Sequence, residues 1–226
     1  MRLVLASASP RRAELLTAAG FAFEILSVDV DERVRPGEAV REYVRRLAIE
    51  KASAALARLM SSAEPRHDIS TQAKAKHRAS PSNFSGHDAE PGPLVVIGAD
   101  TAVVVGDEIL GKPVGAIDAE RMLRLLSGRT HSVLTGVSVL CRQASADSVD
   151  ETQVRVNSLN EEQIAWYVAS REGFDKAGAY AIQGLASRFI SAIDGSYSNV
   201  VGLPVATVDR LIRTVVTASG VLASGG

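Results

Sequence analysis

The sequence predicts an α/β fold built on one sheet, and three observations carry that prediction. Apolar runs of strand length, among them Leu3-Val4-Leu5-Ala6 and Leu94-Val95-Val96-Ile97, alternate with longer segments of helical period. The 226 residues suit one compact domain or two small lobes sharing a sheet. A composition of 46% hydrophobic and 23% charged residues is that of an ordinary globular chain, neither disordered nor supercharged.

The elements follow in order. Leu3–Ala6 reads as a buried strand, and Ser7-Ala8-Ser9-Pro10 leads into a helix from Arg11 to Ala19 that stops at Gly20. Pro10 suits the first helical position, where its missing N–H has no partner to lose. Such a strand-to-helix turn presents free N–H groups and the positive end of the helix dipole, which favour an anion. Arg11 and Arg12 beside it are either anion-binding groups or surface arginines on a solvated first turn. Phe21–Val28 reads as a second strand, followed by the acidic turn Asp29-Val30-Asp31-Glu32. A long helix is expected from Glu38 to Met60, with Val40, Val44, Leu47, Ala54 and Ala55 on one stripe. Lys51 falls on that stripe, so it is either a snorkelling edge residue or part of a charged site.

From 61 to 93 the periodicity dissolves into Ser, Pro, Gly, Ala and mixed charge, the pattern of an exposed or disordered insertion. His67, His77 and His87 recur there, but metal ligands need a rigid frame and outer partners, so a solvated loop is the expectation. Leu94–Ile97 then forms a buried strand with Gly98-Ala99-Asp100-Thr101 at its end, before Val103-Val104-Val105 resumes. A carboxylate between two β-runs must be solvated, paired or bound to a cation. Beyond the Gly106-Asp107-Glu108 turn, Lys112 sits at another strand end. A helix over 118–126 takes Asp118 as N-cap and Gly128 near its C-cap. Ser132–Cys141 and Thr152–Val156 read as antiparallel strands joined across 145–150. Ser158-Leu159-Asn160-Glu161 resembles a capping box for a helix reaching Val168. A strand from Phe189 and a helix from Pro204 or Val205 to Val216 complete the chain.

Charge and cysteine content exclude several functions. A net charge of −1 and a near-neutral pI supply no basic field for nucleic acid. Cys141 is the only cysteine, so neither an intramolecular disulfide nor a cysteine metal cluster can form. With no secretory apolar segment and no run of membrane-spanning length, the expectation is a cytoplasmic protein without a membrane partner.

Four charged features fall at element ends: Arg11-Arg12, Glu32 with Lys51, Asp100, and Lys112. Basic side chains neutralise phosphate oxygens, and carboxylates hold a hard divalent cation that bridges phosphates and activates water. Together they describe a nucleotide site, yet no G-x-x-x-x-G-K-[ST], G-x-G-x-x-G or H-E-x-x-H motif is present.

Five blocks carry a family resemblance. Leu5-Ala6-Ser7-Ala8-Ser9-Pro10-Arg11-Arg12, Gly98-Ala99-Asp100-Thr101, Leu126-Ser127-Gly128 with His131, Asp175-Lys176-Ala177-Gly178-Ala179-Tyr180 with Ile182-Gln183-Gly184, and Val201-Gly202-Leu203-Pro204 resemble the Maf family in content and order. The resemblance implies a Maf/inosine triphosphatase-like α/β fold. Its extended mixed β-sheet, with flanking helices, would form two lobes around a nucleotide cleft as a single domain over 1–226. The implied activity is that of a nucleoside triphosphate diphosphatase, giving a nucleoside monophosphate and pyrophosphate. One branch of the family acts on dTTP, UTP and modified uridine nucleotides. Another acts on 7-methyl-GTP and carries Trp after Ser-Pro; here Arg11 stands at that place.

Position by position, Asp100 resembles the catalytic acid/base, and Arg11, Thr101 and Gln183 resemble specificity positions. Arg12, Glu32, Lys51 and Lys112 match further active-site positions; Ser9 and Lys176 are assigned to substrate binding, Lys176 with an ion pair to Asp175 as its structural alternative. Glu32 and Asp100 are the expected ligands of Mg²⁺ or Mn²⁺, with Glu32, Lys51 and Asp100 as the catalytic group. The Gln183 amide offers one acceptor and two donor hydrogens, matching N3–H and a carbonyl of uracil or thymine. A nucleoside triphosphate is the implied partner, and a homodimer rests on the resemblance alone. The chain departs from the family where Glu172 is followed by Gly173 rather than Pro, and in the 61–93 insertion. Two other readings stay open: a non-catalytic nucleotide-binding regulator of cell division, and a purine pyrophosphatase of the ITP type.

Overall fold

Seven strands and six α-helices make up the described part of the chain, residues 1–62 and 92–220 of a computed structural model. The strands are β1 (Arg2–Ala6), β2 (Glu24–Ile25), β3 (Leu94–Val105), β4 (Glu108–Leu110), β5 (Thr130–Leu140), β6 (Ser145–Val156) and β7 (Ile190–Asp194). The helices are α1 (Pro10–Ala18), α2 (Val40–Ser62), α3 (Ala116–Leu126), α4 (Glu161–Ala169), α5 (Tyr197–Val201) and α6 (Val205–Ala218). The sheet runs β2-β1-β3-β5-β6-β7, with β4 beside the far half of β3. It is mixed: β1 pairs in parallel with β2 and β3, and the remaining pairs are antiparallel.

Alternation along β3 separates its neighbours. Val96 and Ala102 meet α2 on one face. On the other face Val95, Ile97 and Ala99 join a core with α6, while Val103 and Val105 join a second core with α3 and α4. Val137 and Val139 of β5 enter the former and Val133 the latter, so Thr101 and its cross-strand partner Thr135 lie between two cores on one face.

Two glycines bring α2 onto the sheet. A methyl at Gly98 would lie 2.1 Å from the carbonyl oxygen of Ala48, and one at Gly136 would lie 2.2 Å from that of Val44. Only a residue without Cβ lets a helix backbone come this close.

Several boundaries differ from the sequence expectation. The second strand shrinks to Glu24–Ile25, because Phe21, Phe23, Leu26 and Val28 lie against the cores as loop side chains rather than extending the ladder. The two runs expected around Asp100 are one continuous strand, held by β5 from Val96 to Val104. Strand β6 begins at Ser145, not Thr152; its polar first half hides the β signal but hydrogen-bonds to β5 through the backbone. Helix α3 starts at Ala116 behind Gly115, and Asp118 reaches back to accept the Val114 N–H at 3.1 Å. The capping box of α4 is Asn160 with Gln163, not Ser158 with Glu161. Most of the 61–93 segment, including its three histidines, lies outside the described residues. No helix among the described residues is long and apolar enough to cross a membrane.

His131 is buried, its Nε2 is 2.8 Å from the Tyr180 hydroxyl, and its Nδ1 has no partner among the described residues. Burial pushes its pKa down to about 4. Below an ordinary histidine pKa of about 6.5 the unfolded chain therefore binds more protons than the folded one. The contribution is full above that value and is lost as pH falls from it to about 4, on the order of 3 kcal/mol in total. Denaturant melts across that window should show the loss, and His131→Phe should flatten it.

Candidate active site

The site sits where β3 changes partners. On one edge β1 ends with Ala6 opposite Gly98, and further along β3 the pairing with β4 starts at Val103 opposite Leu110. Between those pairings Asp100 and Thr101 have β5 on one side only, and the chain leaving β1 turns into α1 at the break. Such a switch point at the carboxyl end of a strand opens a crevice. Here it is a cleft of about 870 Å³, within the range of small-molecule sites.

All ten residues singled out from sequence line this cleft: Ser9, Arg11, Arg12, Glu32, Lys51, Asp100, Thr101, Lys112, Lys176 and Gln183. Lys51 is the pivot. It projects from α2 into a buried position, with Nζ 2.7 Å from Asp100 Oδ1 and 2.6 Å from Glu32 Oε1. A buried ammonium and a buried carboxylate are each costly alone, and the pairing offsets both desolvation penalties. Partial burial pushes Glu32 up, but the hydrogen bond and charge of Lys51, helped by Lys112 and Arg12, hold it below the ordinary carboxylate range. Of the two sequence alternatives for Lys51, the charged cluster is the one the structure shows.

Arg12 works inside the protein. It donates to Gly202 O at 2.8 Å, Ser7 Oγ at 3.2 Å and Thr101 Oγ1 at 3.0 Å, joining α1, β3 and the end of α5. Burial lowers its pKa, partly countered by Asp100, and a guanidinium keeps its charge under such a shift. Thr101 Oγ1 also lies 3.0 Å from Thr135 Oγ1. Ser9 caps α1 without a side-chain hydrogen bond, which leaves first-turn N–H groups for water or an anion.

Across the cleft, Arg11 reaches Asp175 at 3.1 Å, and Lys176 pairs with the same carboxylate at 2.6 Å while also donating to the Glu172 carbonyl. The structural alternative for Lys176 thus describes its present bonding. Lys112 is exposed, as is Gln183, whose side chain makes no hydrogen bond among the described residues.

Tyr43 was missed from sequence. Its hydroxyl donates to the Glu32 carbonyl at 3.0 Å, and burial with the charges of Asp100 and Glu32 raises its pKa to about 12. The signal existed, since 43, 47 and 51 share one helical stripe. Asp175 and Tyr180 also line the cleft, and neither was assigned a role from sequence.

The donor set constrains a metal. No group of three or more His, Cys, Asp or Glu able to hold an ion occurs among the described residues; the Glu32 and Asp100 carboxylates converge on Lys51 as a pair. Two carboxylates fit a hard cation that completes its shell with phosphate oxygens and water, as Mg²⁺ commonly does.

Comparisons with known proteins agree with this architecture. A relative named dTTP/UTP pyrophosphatase from Anaeromyxobacter dehalogenans is 48% identical over 94% of this chain and 93% of its own. One of the same name from Shewanella oneidensis is 45% identical over 94% of this chain and 97% of its own. A third, from Xanthomonas euvesicatoria, is 44% identical over 93% and 96%. The family model for the Maf-like protein matches residues 2–215, and the chain belongs to the Maf family.

Proposed function

We propose that this chain is a nucleoside triphosphate pyrophosphatase that hydrolyses dTTP and UTP, with modified uridine nucleotides, to the monophosphate and pyrophosphate. The observation that carries the reading is the Glu32–Lys51–Asp100 cluster at the open edge of β3, in a chain resembling dTTP/UTP pyrophosphatases over nearly its whole length.

In this reading Asp100 takes the proton from a water aimed at the α-phosphorus. The fixed ammonium of Lys51, 2.7 Å from Oδ1, holds that carboxylate in place. Lys112, Arg11 and the first turn of α1 neutralise the triphosphate and the departing pyrophosphate, while Lys51 keeps two carboxylates compatible at close range. Glu32 and Asp100 would hold Mg²⁺ or Mn²⁺, which when bound neutralises phosphate charge and makes water more acidic. Gln183 reads the pyrimidine edge with an amide that has no hydrogen bond among the described residues, and Arg12 with Thr101 forms the floor. A single two-lobed domain, a homodimer and a cytoplasmic setting complete the proposal.

The test is pyrophosphate release from dTTP, UTP, CTP, ITP and 7-methyl-GTP, with Mg²⁺ or Mn²⁺ and with chelator. Turnover of dTTP and UTP that chelator abolishes is expected. A folded protein that binds a nucleotide and turns over none would instead be a regulatory binder. Gln183→Ala is expected to reduce the preference for UTP over ITP and CTP by about tenfold or more, since a site built to hydrogen-bond one edge rejects mismatches strongly. An unchanged preference would remove Gln183 from base recognition.

A further inference from the structure

Glu32 lies on a segment with neither helix nor strand, between β2 and α2. A carboxylate on such a segment should wander, yet three consecutive backbone carbonyls around it are tied to α2. The Asp31 carbonyl accepts from Arg46 Nη1 at 3.5 Å, that of Glu32 from the Tyr43 hydroxyl at 3.0 Å, and that of Arg33 from Arg46 Nη2 at 3.1 Å.

Arg46 is itself fixed. Its Nε is 2.6 Å from Glu38 Oε1 and its Nη2 is 2.9 Å from Oε2, a bidentate pair, and Nη1 reaches Glu50 at 3.2 Å. The side chains of Arg46 and Glu38 are only 12% and 8% exposed. A planar fork with five donors can meet two carboxylates and two carbonyls at once, which an ammonium cannot. Lys51, on the same helix, takes the Glu32 side chain. One helix therefore grips both the backbone and the carboxylate of Glu32.

We infer that Arg46, with Tyr43, is a positioning residue that sets the place of the Glu32 carboxylate relative to Lys51 and Asp100. The inference rests on the catalytic role proposed above for Glu32. Neither residue need touch substrate, and their effect on turnover passes through Glu32.

The experiment combines a double-mutant cycle with hydrogen exchange on the full chain. Arg46→Ala is expected to lower kcat for dTTP at least tenfold in the wild-type background and less than twofold in Glu32→Gln. Arg46→Lys, which keeps the charge but not the fork, should recover only part of the loss. Backbone amides over 29–37 should exchange at least tenfold faster in Arg46→Ala while β3 and β5 stay protected. Tyr43→Phe repeats the cycle with one bond removed and a smaller effect, and decides the matter if Arg46→Ala does not fold. An equal loss of kcat in both backgrounds would make the role merely structural and overturn the inference. Unchanged exchange over 29–37 would overturn it whether or not the chain is an enzyme. Absence of dTTP turnover in the wild type would instead reject the functional reading, with the exchange result still deciding the clamp.

Discussion

Asp100→Asn should lower kcat for dTTP and UTP by about 10²- to 10⁴-fold, the range expected for loss of a general base, while nucleotide binding measured without divalent metal changes by no more than a few-fold. The substitution preserves shape, and the amide oxygen can still accept from Lys51, now 2.7 Å from Oδ1. What it removes is the ability to accept a proton and half of the anionic charge facing Lys51. The cations proposed to neutralise phosphate, Arg11 and Lys112, come from other parts of the cleft and are untouched. Steady-state pyrophosphate release beside calorimetric titration with dTTP separates the two effects. Turnover within tenfold of wild type would take Asp100 out of the mechanism.

Gly98→Ala should cost about 3 kcal/mol or more of stability and most of the activity, although no chemical group is lost. The new Cβ would lie 2.1 Å from Ala48 O and 2.7 Å from Ala52 N, both backbone atoms of α2 that no rotamer change can clear. The helix has to back away from β3, and Lys51, one residue before Ala52, goes with it. Lys51 keeps Glu32, which is tied to the same helix, but separation from Asp100 leaves that buried carboxylate without its ammonium, which is the expensive way to break an ion pair. Chemical denaturation measures the first effect and pyrophosphate release the second. A variant as stable and active as wild type would show that close approach of α2 does not set the Lys51–Asp100 contact.

The parts of this fold legible in the sequence are those with local causes. The turn Ser7–Pro10, the helix that follows, the long α2 and the final α6 were readable from punctuation and 3.6 period. Lys51 stood out because a charge on an apolar stripe demands a partner, and the partner it has is the carboxylate that looked misplaced between β-runs. Polar Ser145–Glu151 gave no β signal, since β5 supplies its hydrogen bonds whatever its side chains are. The Tyr43 and Arg46 bonds depend on a loop folding back over α2, and the Arg11–Asp175 pair spans 164 residues. Such contacts are set by tertiary structure, and no window of sequence contains them. Gly98 was visible only as part of a motif; its reason, a helix backbone at touching distance, appears only in three dimensions.

The most direct measurement of the central claim is hydrolysis of dTTP in ¹⁸O-water, with mass analysis of both products. Attack at the α-phosphorus from the Asp100 side of the cleft predicts the label in the nucleoside monophosphate and none in pyrophosphate. Label in pyrophosphate, or release of orthophosphate with a nucleoside diphosphate, would contradict the account.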